Sequence, residues 1–423
     1  MRCDPAAGAA GSVDNTAAAD VHVQAFGGNA LPAHFSPGGG TVNYAGPAEW
    51  SFRRMILHYA HLCALAGGVD AFLIGSELVG LARVRDSATH FPSVDQLAAL
   101  ATDVRAILGP AAKISYAADW SDYFGYHPQD GSGDVFFHLD PVWSHPAVDF
   151  VGIDNYMPLA DWRDGEGHAD LAAGVSSSYD IAYLRANVAG GEGYDWYYQS
   201  AADRRAQVRT PISDGAYGKP WTFRYKDLKG WWQNEHFERI GGVERVSPTA
   251  WVPQSKPIWF TEAGCPAVDK GANQPNVFVD PKSSGSAVPY FSSGARDDFI
   301  QRRYIDALTG YWDPAHPDHV AGSNPVSPLY SAPMVDPARI HIWAWDARPY
   351  PQFPYLSQVW SDGANWDLGH WITGRMGAAA LDKLVARILS EYGFDAYDTR
   401  SLHRIVQGYV IDRPMSAREA LEA

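Results

Sequence analysis

Apolar residues along this chain gather into two kinds of run. One kind is short and continuous: VDAFLIGSEL, KISYAADW, VDFVGIDNYMPL, KPIWFTEAG and ARIHIWAWDARPYP. Runs without polar alternation predict strands buried on both faces, as in a parallel sheet. The other kind recurs at helical spacing. In AEWSFRRMILHYAHLCALAGG, Phe52, Met55, Ile56, Tyr59, Leu62 and Cys63 share one face, and a Gly pair supplies the stop. SVDQLAALATDVRAILGP predicts a second helix, with Ser93 as its cap and Gly-Pro after it. DDFIQRRYIDALTGYW and AALDKLVARILSEYG read as two more.

Strands alternating with helices at this length predict an α/β domain. The opening, up to about Pro47, is rich in Gly, Ala and Pro, and its stretch SPGGGTVNYAGPAEW reads as loop. Between NYMPL and KPIWF lie about a hundred residues, far more than an ordinary connection between a strand and a helix. That insert carries GYDWYYQS, KPWTFRYKDLKGWWQNEHFER and TAWVPQ, so it is aromatic and partly helical. Inserts on the loop face of a barrel build binding walls.

Composition narrows the picture. The chain has 423 residues, 46% of them hydrophobic, enough for a sizeable core. A formal net charge of −15 argues against nucleic acid as the main partner, because no basic surplus exists to release counterions. The 16 Trp and 22 Tyr suit stacking on flat ligands, sugar rings among them, although they also fill cores. Cys3, Cys63 and Cys265 form no disulfide framework and no metal-binding spacing. No stretch approaches the ~20 apolar residues of a membrane span, and the N-terminus shows no signal-peptide pattern. No cofactor motif is present: GSGDVFF is too short for a phosphate loop, and His58 and His61 lack the carboxylates that would complete a metal site.

Two strand runs end in a glutamate, FLIGSEL at Glu77 and KPIWFTEAG at Glu262. In a (β/α)8 barrel the reacting groups sit where strands end and loops begin. Two carboxyls placed there can divide the work of glycoside hydrolysis, one protonated as general acid and one ionised as nucleophile. A glutamate just past a strand is also an ordinary capping or ion-paired residue, so the pair carries more weight than either member. Around them, Tyr156 is either a donor to a carboxylate or a core tyrosine with a satisfied hydroxyl, and Asn155 is either a turn residue or a sugar contact. Trp345 is placed as a floor for a sugar ring, with Trp343 deeper and in the core. Asp119 and Trp120 end another strand and line the cleft or cap a turn. Asp346 and Arg348 are expected to pair with each other.

FLIGSEL, FVGIDNYMPL, KPIWFTEAGCPA, GANQPNVFVDPKSS and IWAWDARPYPQFP together resemble the glycoside-hydrolase TIM-barrel-like domain of gene transfer agent and phage tail proteins. That domain is similar in turn to the clan of retaining glycosidases with the acid/base on strand four and the nucleophile on strand seven. The resemblance implies an α/β, TIM-barrel-like fold, truncated at the N-terminus so that strands four to eight remain. It implies Glu77 as acid/base and Glu262 as nucleophile, with Ser76 at the position of a sugar contact; Asp119, Trp120, Asn155, Tyr156 and Trp345 are read as substrate contacts from their places at strand ends, and no metal or cofactor is expected. Many clan members carry Asn where Ser76 stands, to hold the sugar 2-hydroxyl. The implied segments are an N-terminal stretch at 1–50, a glycosidase-like barrel at 51–375 with its insert at 157–255, and the start of a tail module at 376–423. Cell-envelope glycan and other tail or baseplate proteins are the implied partners. The implied location is the tail of a phage-like particle assembled from protein made in the cytoplasm. Two further readings stand beside this one: a non-catalytic structural or glycan-binding barrel, and a barrel enzyme of unrelated chemistry.

Overall fold

A computed structural model describes residues 9–283, 285–343, 348–372, 379–406, 409, 411 and 413–422. They fall into two compact units. The first comprises Met1–Asn155, Asp227–Thr261 and Gly322–Ile340. The second comprises Tyr156–Lys226, Glu262–Ala321 and His341–Ala423.

The first unit is built on one parallel sheet of five strands, the same five that the apolar runs predict. They are β1 (Ala71–Ser76), β2 (Lys113–Asp119), β3 (Val151–Asn155), β4 (Ile258–Ala263) and β5 (Val335–Ile340). Their spatial order follows the chain, each strand beside its predecessor, with β1 and β5 at the edges. Ala71 pairs with Lys113, Ala117 with Gly152 and Ile258 with Val335. Ile114, Tyr116, Ala118, Ile153, Ile258 and Phe260 are fully buried along these strands, which is why the runs show no polar alternation. Gly152 is required where it stands: a Cβ there would lie 2.4 Å from the carbonyl oxygen of Tyr116 on the neighbouring strand. The β5 strand begins earlier than its apolar run and stops at Ile340, before Trp343 is reached.

Three of the helices described in this unit are longer than ten residues. The α1 helix spans Ala17–Gly27, α2 Phe52–Leu65 and α3 Pro92–Leu108. Ser51 caps α2 by accepting from the backbone N–H of Arg54. The buried stripe of α2 is Ile56, Leu57 and Ala60, whereas Met55 and Tyr59 are 48% and 54% exposed, so the covered face is narrower than the spacing predicts. Ser93 does not cap α3. Pro92, with its fixed φ, takes the first helical position after Phe91, and the Ser93 hydroxyl donates instead to the carbonyl of Leu81.

In the second unit α4 (Asp298–Trp312) is capped by Asp297, whose carboxylate accepts from the N–H groups of Phe299 and Ile300. It is buried on most sides and packs against the short helix Ile181–Ala186. The part of the insert in this unit is held by a charged network. Arg209 bridges Asp161 and Asp170 at 2.9 and 2.8 Å. The fully buried Lys226 amine donates to the carbonyls of Asn187 and Gly190. The α5 helix (Leu381–Glu391) is tied to α4 by a buried ion pair between Arg303 and Asp382.

Candidate active site

The carboxyl ends of β1 to β4 carry most of the residues singled out from sequence. In the first unit, Glu77 follows the last residue of β1. Its N–H donates to the carbonyl of Ala117 on β2, and the next N–H, of Leu78, donates to the Tyr116 hydroxyl. These bonds fix a turn in which Glu77 takes φ +50°, the left-handed region that costs a residue with a Cβ on the order of 1 kcal/mol or more. Its side chain is exposed at the strand end. Strain of this kind is characteristic of positions whose orientation matters more than their comfort.

Behind Glu77 lies an unexpected carboxylate. Asp154 on β3 is fully buried, and both its oxygens accept hydroxyl protons: Ser76 donates at 2.9 Å and Thr261 at 2.6 Å. Ser76 is two strands away, across β2, which presents the small residues Ala117 and Ala118 along this stretch. Side chains from alternate strands meeting in one layer are the packing rule of a barrel interior. A carboxyl oxygen of Asp154 lies within 4.8 Å of one of Glu77. Burial pushes the Asp154 carboxyl up to about 6, against the two hydroxyl bonds and with help from the Asp119 charge.

Asp119, at the end of β2, accepts from both the N–H and the hydroxyl of Ser121, so it closes a turn, one of its two expected roles. Burial raises its proton affinity, opposed by the Ser121 bonds. Trp120 beside it is half-buried and Asn155 is buried.

In the second unit, the Tyr156 hydroxyl donates to Glu262 at 2.7 Å. The Tyr156 ring meets His370 edge-on, with centroids 5.2 Å apart. That imidazole is buried and donates to the carbonyl of Pro275; burial pushes its proton affinity down to about 4, so it is neutral. A neutral ring behind Tyr156 adds no charge to the carboxylate in front of it. Glu262 itself is half-buried at the end of β4. Trp343 is 38% exposed rather than in the core, its N–H donating to the carbonyl of Ala263. It lies beyond the end of β5, so strand alternation does not reach it. Trp345 and Asp346 lie outside the described residues. Arg348 pairs with Asp362 at 2.7 Å.

Sequence reasoning passed over Asp154 and Thr261. The available signal was the lone aspartate in the apolar run FVGIDNY, since a carboxylate in a buried strand requires partners.

A model of the family described as GTA TIM-barrel-like domain matches residues 50–354. Among solved structures, the chain is similar to the GH113 β-mannanase AaManA from Alicyclobacillus acidocaldarius in complex with ManMIm, at 16% identity and a TM-score of 0.32. That alignment covers 81% of this chain and 61% of the mannanase chain. No curated protein matches.

Proposed function

The chain belongs to the GTA TIM-barrel-like domain family, and from that premise we propose that it is a glycoside-hydrolase-like barrel of a phage tail or gene transfer agent particle. It acts on cell-envelope glycan, polysaccharide or peptidoglycan, by a retaining two-carboxylate mechanism. Glu262 attacks the anomeric carbon while Glu77 gives its proton to the departing glycosidic oxygen. Glu77 then takes a proton from water, which displaces Glu262 from the sugar with net retention.

What supports this reading above all is the bonding of Asp154. It holds Ser76 and Thr261, the residues that immediately precede Glu77 and Glu262, so the two strand ends that carry the glutamates are tied to one buried group. The Tyr156 hydroxyl adds to it, since a donor to a carboxylate favours the ionised form that a nucleophile needs. Among the described residues no helix is long and apolar enough to cross a membrane, which accords with a particle component reaching glycan from outside the bilayer.

A second reading rests on Ser76. Where many retaining enzymes of this clan carry an asparagine for the sugar, this hydroxyl is committed to Asp154. A barrel that binds glycan or serves assembly without cleaving it would tolerate that. The test is reducing-end release from envelope glycan by the full-length protein, compared with Glu77→Gln and Glu262→Gln. Loss of cleavage in both variants supports the assigned roles, and full activity in either overturns them. Glycan binding by the wild type and both variants, with no reducing ends from any of them, favours the second reading.

A further inference from the structure

Asp154 has no part in the two-step scheme, yet it is a fully buried carboxylate in the sheet. A buried carboxylate is expensive unless bonded, and an apolar residue would fill the same place beside Val151 and Ile153. Its two bonds go to the residues that precede the glutamates, and its charge lies behind Glu77. We propose that Asp154 is a positioning residue for Glu77, fixing the β1 end through Ser76 and strengthening the hold of Glu77 on its proton through like-charge repulsion. The proposal rests on the reading of Glu77 as the acid/base.

Asp119 comes from the end of β2, Tyr116 from the middle of β2, and Glu77 from the end of β1; all three interact with Asp154 or with one another. Glu262 follows Thr261 directly along β4. Every carboxylate here has the same sign, so each ionised neighbour makes the next proton harder to lose. A general acid must be protonated at working pH, and a negative charge behind it serves that need. The two carboxyls then titrate as a coupled pair, not as independent groups.

The experiment is a 13C carboxyl NMR titration of the full-length protein labelled at glutamate, with the Glu77 signal assigned through Glu77→Gln. In the wild type the Glu77 signal should show two inflections, the second reporting Asp154. Asp154→Asn keeps both hydroxyl partners while removing the charge. It should leave one inflection, moved to lower pH, and should move the basic limb of kcat/KM the same way. A single-step wild-type curve overturns the proposal even if the Asn variant does not fold, and so does a Glu77 midpoint unchanged by Asp154→Asn. If the wild type cleaves no glycan, the NMR curve still decides whether Asp154 acts on Glu77, while the glycosidase reading fails separately.

Discussion

The Thr261 hydroxyl reaches the buried carboxylate of Asp154 at 2.6 Å, joining β4 to β3 one residue before Glu262. Thr261→Val keeps the shape of the side chain and removes the donor, leaving a buried carboxylate oxygen short of a partner. The expected cost is about 1–3 kcal/mol of stability. Urea unfolding should show the loss for Val and near wild-type behaviour for Thr261→Ser, which retains the hydroxyl. Equal midpoints for Val and Ser would mean that the bond contributes nothing.

Glu77 carries its strain in the backbone. Glycine adopts φ +50° without penalty, whereas alanine does not. Glu77→Gly should therefore exceed Glu77→Ala in stability by about 1 kcal/mol, with neither variant cleaving glycan. Thermal melting of the two variants side by side tests this, and an alanine variant as stable as the glycine one would show that the turn is not strained.

Gly152→Ala places a methyl 2.4 Å from the Tyr116 carbonyl oxygen and 3.3 Å from Thr261 Cγ2. Strands β2 and β3 cannot part without losing their ladder, so overpacking should cost about 1–3 kcal/mol or more. The melting temperature should fall accordingly. A melt indistinguishable from wild type would mean that the two strands can part without cost.

Lys226 ties stability to pH. Burial pushes its amine down to about 7 from an ordinary 10.5, with Glu192 and Asp195 opposing the shift. Between those values the unfolded chain holds a proton that the folded chain lacks, so native stability falls as pH drops through the window and is flat below it. Relative to Lys226→Met, the wild type should lose up to about 1.4 kcal/mol per unit of acidification from about pH 10 to about pH 7. Urea midpoints of both proteins across that range provide the measurement; a constant difference would mean the amine stays charged in the fold.

How far the molecule was readable from its sequence depends on what kind of information each part needs. The five strands were legible because burial on both faces writes itself as unbroken apolar runs, and Glu77, Glu262 and Tyr156 were legible because they end those runs. Asp154 was not, because nothing in FVGIDNY says that its partners sit on β1 and β4; that follows from which side chains share a layer in the curved sheet. Ser93 misled through a local pattern that Pro92 overrode, and Trp343 through an alternation that outlasted its strand. Backbone strain at Glu77 has no signature in residue type at all.

The bonds from Asp154 to Ser76 and Thr261 use no residue of the long aromatic insert. The anchoring of the two strand ends is therefore independent of the side chains of that insert. Mutation can rewrite that segment, lengthen it or exchange its aromatics while Ser76 and Thr261 stay where Asp154 holds them.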